Sequence, residues 1–272
     1  MPELPEVETT KSGILPYILN QKIENIIIRN PNLRWPIPAL LPELLKNQQV
    51  LNIYRRAKYI IIEFKIGHLI CHLGMSGHFK IIQQPTEILK HDHVDILFQN
   101  GIILRYHDPR RFGCMLWTVE PISEHFLIKK LGPEPLSSSF NGHYLYQKAH
   151  HKNIPIKSLI MNQEIVVGVG NIYASEALFL AKIHPLKPCN TLNKKQTNQL
   201  VLSIQQILEQ AIAQGGTTIN DYMNSEGKPG YFNQSLLVYQ RDNQPCFKCK
   251  SPIEKIIINQ RSTFFCARCQ KN

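Results

Sequence analysis

Apolar and polar positions change texture along the chain. Residues 3–12 read as a short helix with carboxylates in its first turns, where the positive end of a helix dipole favours negative charge. Stretches of β character follow: Ile23 to Arg29, Val50 to Lys65, which is rich in Ile and Tyr, and Leu69 to Ile82. Val94 to Gln99 and Ile102 to Tyr106 flank Asn100-Gly101. That dipeptide is a strong hairpin signal, because both turn positions favour positive φ. The first half of the chain is therefore expected to be mainly β, a sandwich or flattened barrel behind an N-terminal helix.

Leu131-Gly132-Pro133-Glu134-Pro135, followed by Ser137-Ser138-Ser139, breaks this pattern and reads as an interdomain linker. Beyond it the texture is helical. Leu200, Ile204, Ile207, Leu208, Ala211 and Ile212 recur with a helical period, and Gly215-Gly216 end the run. Asn171 is placed to cap a helix starting at Ile172. The last 32 residues read as a small metal-pinned hairpin, and the sequence holds no internal repeat and no low-complexity segment.

Size and composition set bounds on this picture. A chain of 272 residues with 43% apolar positions is globular and long enough for two cores. No apolar run approaches the ~20 residues that span a bilayer. The N-terminal Met1-Pro2-Glu3-Leu4-Pro5-Glu6 is acidic and lacks the apolar core of a signal peptide. The expected location is the cytosol, with no membrane association. Lys and Arg number 31 against 20 Asp and Glu, a net charge of +11. Such a surplus attracts polyanions, since each neutralised phosphate releases condensed counterions. A basic surface serving only solubility fits the charge equally well, so charge alone raises nucleic acid without selecting it.

The cysteines are more specific. Of the seven, Cys71, Cys114 and Cys189 stand apart, whereas Cys246-x2-Cys249 and Cys266-x2-Cys269 form two pairs sixteen residues apart. Two such turns supply a tetrahedron of thiolates at about 2.3 Å from one ion, and in a cytosolic chain they point to metal before disulfides. Four protein ligands close the shell, so the expected cofactor is one structural Zn²⁺ with no open position for a catalytic water. Residues 241–272 hold seven Lys/Arg against two Asp/Glu, a surplus of five. Zn²⁺ with four thiolates subtracts two, leaving about +3 on a segment too short to fold without its metal. Arg261 sits mid-segment, where a hairpin tip or outgoing strand would present it.

Position 2 is proline. Removal of Met1, usual before a small residue, leaves a secondary amine that titrates near ~8 and is partly unprotonated at neutral pH. Such an amine can attack an electrophilic sugar carbon. The resulting iminium cannot lose its charge at nitrogen, so it acidifies the neighbouring C–H and promotes elimination of the 3′ and then the 5′ phosphate. With Met1 in place the Pro2 nitrogen is an amide and cannot act in this way. Glu3 and Glu6, one helical turn apart, can shuttle protons beside it. On residue types alone, the same Pro, Glu and Glu equally make an ordinary helix start.

The string PELPEVETT at residues 2–10 changes that balance. It resembles the N-terminal signature of the formamidopyrimidine-DNA glycosylases. The resemblance continues through RRAKY (55–59), HLGMSG (72–77), DPRRFG (108–113), VVGVGNIYASEALF (166–179), GKPGYF (227–232) and QRSTFFCARCQK (260–271), in family order over almost the whole chain. It implies an α+β protein of two domains: an N-terminal helix plus β-sandwich, then a helix–two-turn–helix domain ending in a zinc-finger β-hairpin. The corresponding boundaries are 1–131 for the catalytic β-sandwich, 132–240 for the helical DNA-binding part and 241–272 for the finger.

The resemblance also implies residue roles. Pro2 is the nucleophile, Glu3 the main general acid/base, Glu6 its support, and Lys58 an assistant near the sugar or phosphate. Lys157, Asn171 and Arg261 match positions that grip phosphates around an extruded nucleotide. Met75, Arg110 and Phe112 match a trio that fills the gap left by base flipping: Phe112 wedges a base step, Arg110 faces the orphaned cytosine and Met75 adapts to the remaining space. His72 and His93 join the DNA-contacting set. Cys246, Cys249, Cys266 and Cys269 hold the zinc. Residues 217–231 resemble a loop that folds over the flipped purine. Gly168 and Gly170 lack the third glycine of a dinucleotide fingerprint, so that reading is rejected.

The implied activity is base-excision repair: removal of oxidised purines (8-oxoguanine and formamidopyrimidines) and β,δ-elimination at the abasic site through an N-terminal proline Schiff base. The partner is double-stranded DNA with oxidised purines or abasic sites, and the protein is a monomer in the bacterial cytosol or nucleoid. Two rivals stand beside it. One is the sister class acting on oxidised pyrimidines, which tends to differ at PELPEVE and DPRRFG. The other is a non-catalytic zinc DNA-binding protein, for which Pro2, Glu3 and Lys58 are dispensable.

Overall fold

The computed structural model describes residues 2–84, 86–216 and 236–271. These divide into two compact units. One runs to Lys129 and includes residues 214–216; the other holds Lys130–Ala213 and residues 236–271.

The first unit opens with α1 (Leu4–Ile18), longer than the helix expected over 3–12. The chain carries on through Gly13 and Pro16 because Ile14 and Ile18 continue the buried face begun by Leu4 and Val7. Eight strands follow: β1 (Ile23–Ile28), β2 (Asn52–Arg56), β3 (Tyr59–Phe64), β4 (Gly67–His72), β5 (His78–Ile82), β6 (Asp92–Phe98), β7 (Ile103–His107) and β8 (Cys114–Thr118), with a short helix α2 (Leu41–Leu45) after β1. They form two four-stranded sheets, ordered β1-β6-β7-β5 and β2-β3-β4-β8, and every pairing is antiparallel. This is the expected sandwich. Ile60, Ile62, Leu69, Phe79, Val94, Ile96, Phe98, Leu104 and Met115 form its interior with Val7, Ile14 and Ile18 of α1, which packs on strands of both sheets. Each such side chain contributes about 1.5–3 kcal/mol by leaving water.

Two details depart from the periodicity. The stretch 50–65 is a hairpin, β2 and β3, turning at Ala57-Lys58. Ala57 takes φ 55°, a left-handed conformation that no glycine or asparagine announced. At Asn100-Gly101 a hairpin does form, but Gly101 alone takes positive φ, at 83°. Phe98 N–H donates to Ile102 O and Gly101 N–H to Phe98 O, each at 2.9 Å. This closes a three-residue loop with a left-handed glycine, one residue longer than the mirror-image turn.

The sequence joins the two sheets where its function-bearing strings lie. Residues 73–77 connect β4 in one sheet to β5 in the other, and residues 108–113 connect β7 to β8 in the same manner.

The second unit contains α3 (Gly142–Ala149), α4 (Ile156–Ile160), α5 (Asn171–Leu180) and α6 (Lys194–Ala213), then the hairpin β9 (Glu254–Ile258) and β10 (Arg261–Phe265). Leu200, Ile204, Ile207, Leu208 and Ala211 form the buried stripe of α6. Gly215 and Gly216 take φ 76° and 81° just beyond it, as a helix stop requires. Between α4 and α5 run consecutive turns stapled by Gln163, whose Oε1 accepts from Gly168 N–H at 2.8 Å and whose Nε2 donates to Val169 O at 3.1 Å. The stretch read as a linker is held within this unit: Gly132 N–H donates to Gln163 O at 2.8 Å and Val167 N–H to Pro133 O at 3.2 Å. Among the described residues no helix is long and apolar enough to cross a membrane.

Candidate active site and nucleic-acid interface

Glu3 is the N-cap of α1, with extended backbone at φ −102° and ψ −169°. Glu3 and Glu6 form a capping box, in which Glu3 N–H donates to Glu6 Oε2 at 2.8 Å. Both carboxylates are buried, and so is Pro2. Pro2 lies outside the helix, whereas Pro5 supplies the proline of its first turn. The box thus serves local structure and brings two buried carboxylates beside the residue that carries the prospective amine.

Lys58 sits in the β2–β3 turn and is only 8% exposed. A strand-edge lysine would be solvated; the left-handed Ala57 instead turns this one inward.

The strings 72–77 and 108–113 pack together. Met75 and Phe112 are exposed at 39% and 46%, and the Arg110 guanidinium stacks 4.8 Å from the Phe112 ring. They line a cavity of about 630 Å³ with Arg34, His72 and Gly74. His72 Nδ1 accepts from Gly74 N–H at 2.9 Å, and burial, with Lys58 and Arg34 nearby, pushes its pKa down to about 4. His72 is therefore a neutral acceptor at physiological pH. Gly74 has φ 64°, and a Cβ there would meet the Phe112 carbonyl carbon at 2.4 Å, so the two turns approach this closely only with glycine.

His93 is 3% exposed and its Nε2 lies 2.8 Å from Asp108 O. It faces the interior, while its neighbour His91 is partly exposed. Sequence reasoning passed over Asp108, Ser76 and Arg34. The Asp-Pro that opens DPRRFG was the available signal, since such an aspartate commonly bonds backbone amides further along its turn.

In the second unit the N-cap of α5 is Gly170, and Asn171 is already helical. Its side chain is committed elsewhere: Oδ1 accepts from Lys157 Nζ at 2.6 Å, and Nδ2 donates to Ser262 O at 2.9 Å. Lys157 is 1% exposed and also donates to Thr263 Oγ1 at 2.7 Å. Thr263, which the sequence did not single out, joins α4, α5 and β10 into one polar knot. Arg261 opens β10 directly after Asn259-Gln260, both at positive φ, and is exposed. Lys157 and Arg261 line one cavity of about 230 Å³ with Ser158, Asn162 and Asn259.

The four finger cysteines converge. Their Sγ atoms lie within 4.8 Å of one another, with Cys246 to Cys269 at 3.9 Å and Cys249 to Cys266 at 3.4 Å. A tetrahedron of thiolates at 2.3 Å from zinc has edges of about 3.8 Å. The donor set therefore fits zinc, held without an open position. Glu176, buried in α5, anchors the chain entering this module by accepting N–H bonds from Leu237, Val238 and Tyr239 at 2.8, 3.0 and 2.8 Å. Burial raises its pKa against the pull of those three donors.

Comparison with known proteins decides the family. Residues 1–115 match the formamidopyrimidine-DNA glycosylase N-terminal domain, 131–223 its H2TH domain, and 243–272 the zinc finger found in FPG and IleRS. The chain belongs to the formamidopyrimidine-DNA glycosylase family. It is 55% identical to the formamidopyrimidine-DNA glycosylase of Hydrogenovibrio crunogenus over 271 residues, covering 100% of this chain and 97% of that protein. Identity to the Histophilus somni enzyme is 52%, with full coverage of both. Among solved structures, a mutant of the Lactococcus lactis FPG in complex with Fapy-dG-containing DNA superposes with a TM-score of 0.92 at 35% identity over the full length of both chains. The MutM (FPG) protein from Thermus thermophilus does so with 0.88 at 33%, covering 99% of this chain and 98% of that one. Family membership and the four-cysteine cluster together establish one structural zinc. The loop expected over 217–231, the string GKPGYF and the state of Met1 lie outside the described residues.

Proposed function

We propose that this chain is a bifunctional DNA glycosylase and abasic-site lyase acting on oxidised purines in double-stranded DNA. The observation that carries the reading is the buried capping box, Glu3 and Glu6, directly following Pro2 in a chain that matches the family end to end.

Once Met1 is removed, the Pro2 amine attacks C1′ of the damaged nucleotide. The C1′–N bond breaks and the base leaves with a proton. Glu3 serves the ring-opening and proton-transfer steps, and Glu6 fixes its position through the capping box. The cationic iminium withdraws electrons, a C2′ proton is removed and the 3′ phosphate departs; a second elimination expels the 5′ phosphate. Lys58 supplies positive charge near the sugar-phosphate. Met75, Arg110 and Phe112 occupy the gap left by the extruded nucleotide, and His72 offers a neutral ring beside them. Arg261 and the cavity it shares with Lys157 receive backbone phosphates, while Asn171, bonded at both ends of its amide, braces that cavity. His93, bonded to the Asp108 carbonyl, supports the turn that carries Arg110 and Phe112 from beneath. Zinc supplies folding stability to the finger through Cys246, Cys249, Cys266 and Cys269. The working division is 1–131, 132–240 and 241–272, and the enzyme acts as a monomer in the bacterial cytosol or nucleoid.

A paired assay tests this. Excision from duplexes carrying oxidised guanine is expected to exceed excision of oxidised thymine, and Glu3→Gln is expected to lower it by about 10²–10⁴-fold with duplex affinity retained. A preference for oxidised thymine would transfer the chain to the pyrimidine-directed sister class.

A further inference from the structure

The exposed trio of the first unit is held from below by a group that the chemistry above does not use. Asp108 is fully buried, and its carboxylate is saturated with donors: Ser76 Oγ at 2.7 Å, Gly113 N–H at 2.9 Å and Tyr106 OH at 3.1 Å. Its carbonyl accepts the Arg111 N–H at 3.2 Å and lies 2.8 Å from His93 Nε2. Ser76 is itself 4% exposed and relays the contact, since its Oγ accepts the Arg110 N–H at 3.1 Å. The packing admits no slack: a Cβ on Gly113 would lie 1.8 Å from Tyr106 OH, and one on Gly77 would lie 2.5 Å from the same oxygen.

This arrangement spans both crossings between the sheets. Ser76 follows Met75 in the β4–β5 crossing; Asp108, Arg110, Phe112 and Gly113 belong to the β7–β8 crossing. Met75 and Phe112 project from these turns with more than a third of their surface exposed. Their relative placement therefore depends on the backbone beneath them, and the bond chain Asp108–Ser76–Arg110 ties one backbone to the other.

We propose that Asp108 and Ser76 are positioning residues that fix Met75, Arg110 and Phe112 in register and so set how strictly the enzyme reads the base opposite the lesion. The inference rests on the function proposed above and on the role the family resemblance implies for Arg110, which faces that base. Ser76 Oγ donates in one direction and accepts in the other, so Ser76→Ala removes both links while deleting one small buried atom. Arg110 then gains freedom at the point where angular error matters most for hydrogen-bond readout.

The test compares Ser76→Ala with the unsubstituted enzyme on three readouts: single-turnover excision of 8-oxoguanine opposite cytosine and opposite adenine, cleavage of a single-stranded oligonucleotide carrying an abasic site, and the thermal midpoint with zinc content. The cytosine-over-adenine ratio is expected to fall about fivefold, the scale of one lost hydrogen bond. Single-strand cleavage, which leaves no gap to fill, is expected to stay within about twofold. Asp108→Asn, which sets an amide where an acceptor is needed, should lower the ratio further; if it fails to fold, Ser76→Ala decides alone. An unchanged ratio in folded Ser76→Ala protein overturns the proposal. A drop of equal size on every substrate overturns it as well, because it reduces the cluster to a structural support. Absence of single-strand cleavage in the unsubstituted enzyme would instead count against the proposed chemistry itself.

Discussion

At the N-terminus, Pro2, Glu3 and Glu6 are placed by the main-chain hydrogen bonds of a helix end; at the C-terminus, four cysteines are placed by the ion they hold. The first arrangement uses residue types found at countless helix starts, and its chemistry depends on what stands next to what. The second uses a residue type whose spacing alone dictates the geometry. The contrast teaches where function can be read from a chain. Metal ligation is written in spacing, whereas acid–base and nucleophilic chemistry on a capping box is written in context.

The largest effect should come from breaking the metal-dependent region. Cys249→Ser, or chelation of the zinc, is expected to unfold the finger and lower duplex affinity on the order of 100-fold, since a segment this short owes its folding to the metal. The check is metal content measured beside binding; retained affinity after verified metal loss would remove the finger from the DNA interface. A smaller effect sharpens the comparison. Arg261→Ala should weaken binding to all sequences by about tenfold and flatten the salt dependence by about one ion. An intact salt slope would argue against a phosphate contact at the tip of this hairpin.

The sandwich, the stripe of α6, the glycine stop after it and the cysteine cluster were all legible, because each follows from periodicity or spacing. The misread details share one cause: a local preference overridden by packing. Ala57 adopts a left-handed turn and buries Lys58, which no turn residue foretold. Asn171 looks like a helix cap, yet Gly170 fills that place and frees the amide to join Lys157 to β10. His93 shares the string HDH with the more exposed His91, yet it falls at the irregularity where β6 pairs with β7 and is buried against the Asp108 carbonyl. Lys157, singled out only through the resemblance, is buried against Thr263, over a hundred positions away in sequence. Contacts across such separations have no signature in a single chain.

The central claim is that Pro2, freed of Met1, forms a covalent intermediate with the sugar. Borohydride trapping on a duplex with 8-oxoguanine opposite cytosine, followed by mass spectrometry of the trapped peptide, tests it most directly. The account predicts a DNA adduct on an N-terminal peptide that begins at Pro2. No adduct from enzyme with a verified free Pro2 and demonstrated duplex binding would contradict it, and would leave a zinc-dependent DNA-binding protein without this chemistry.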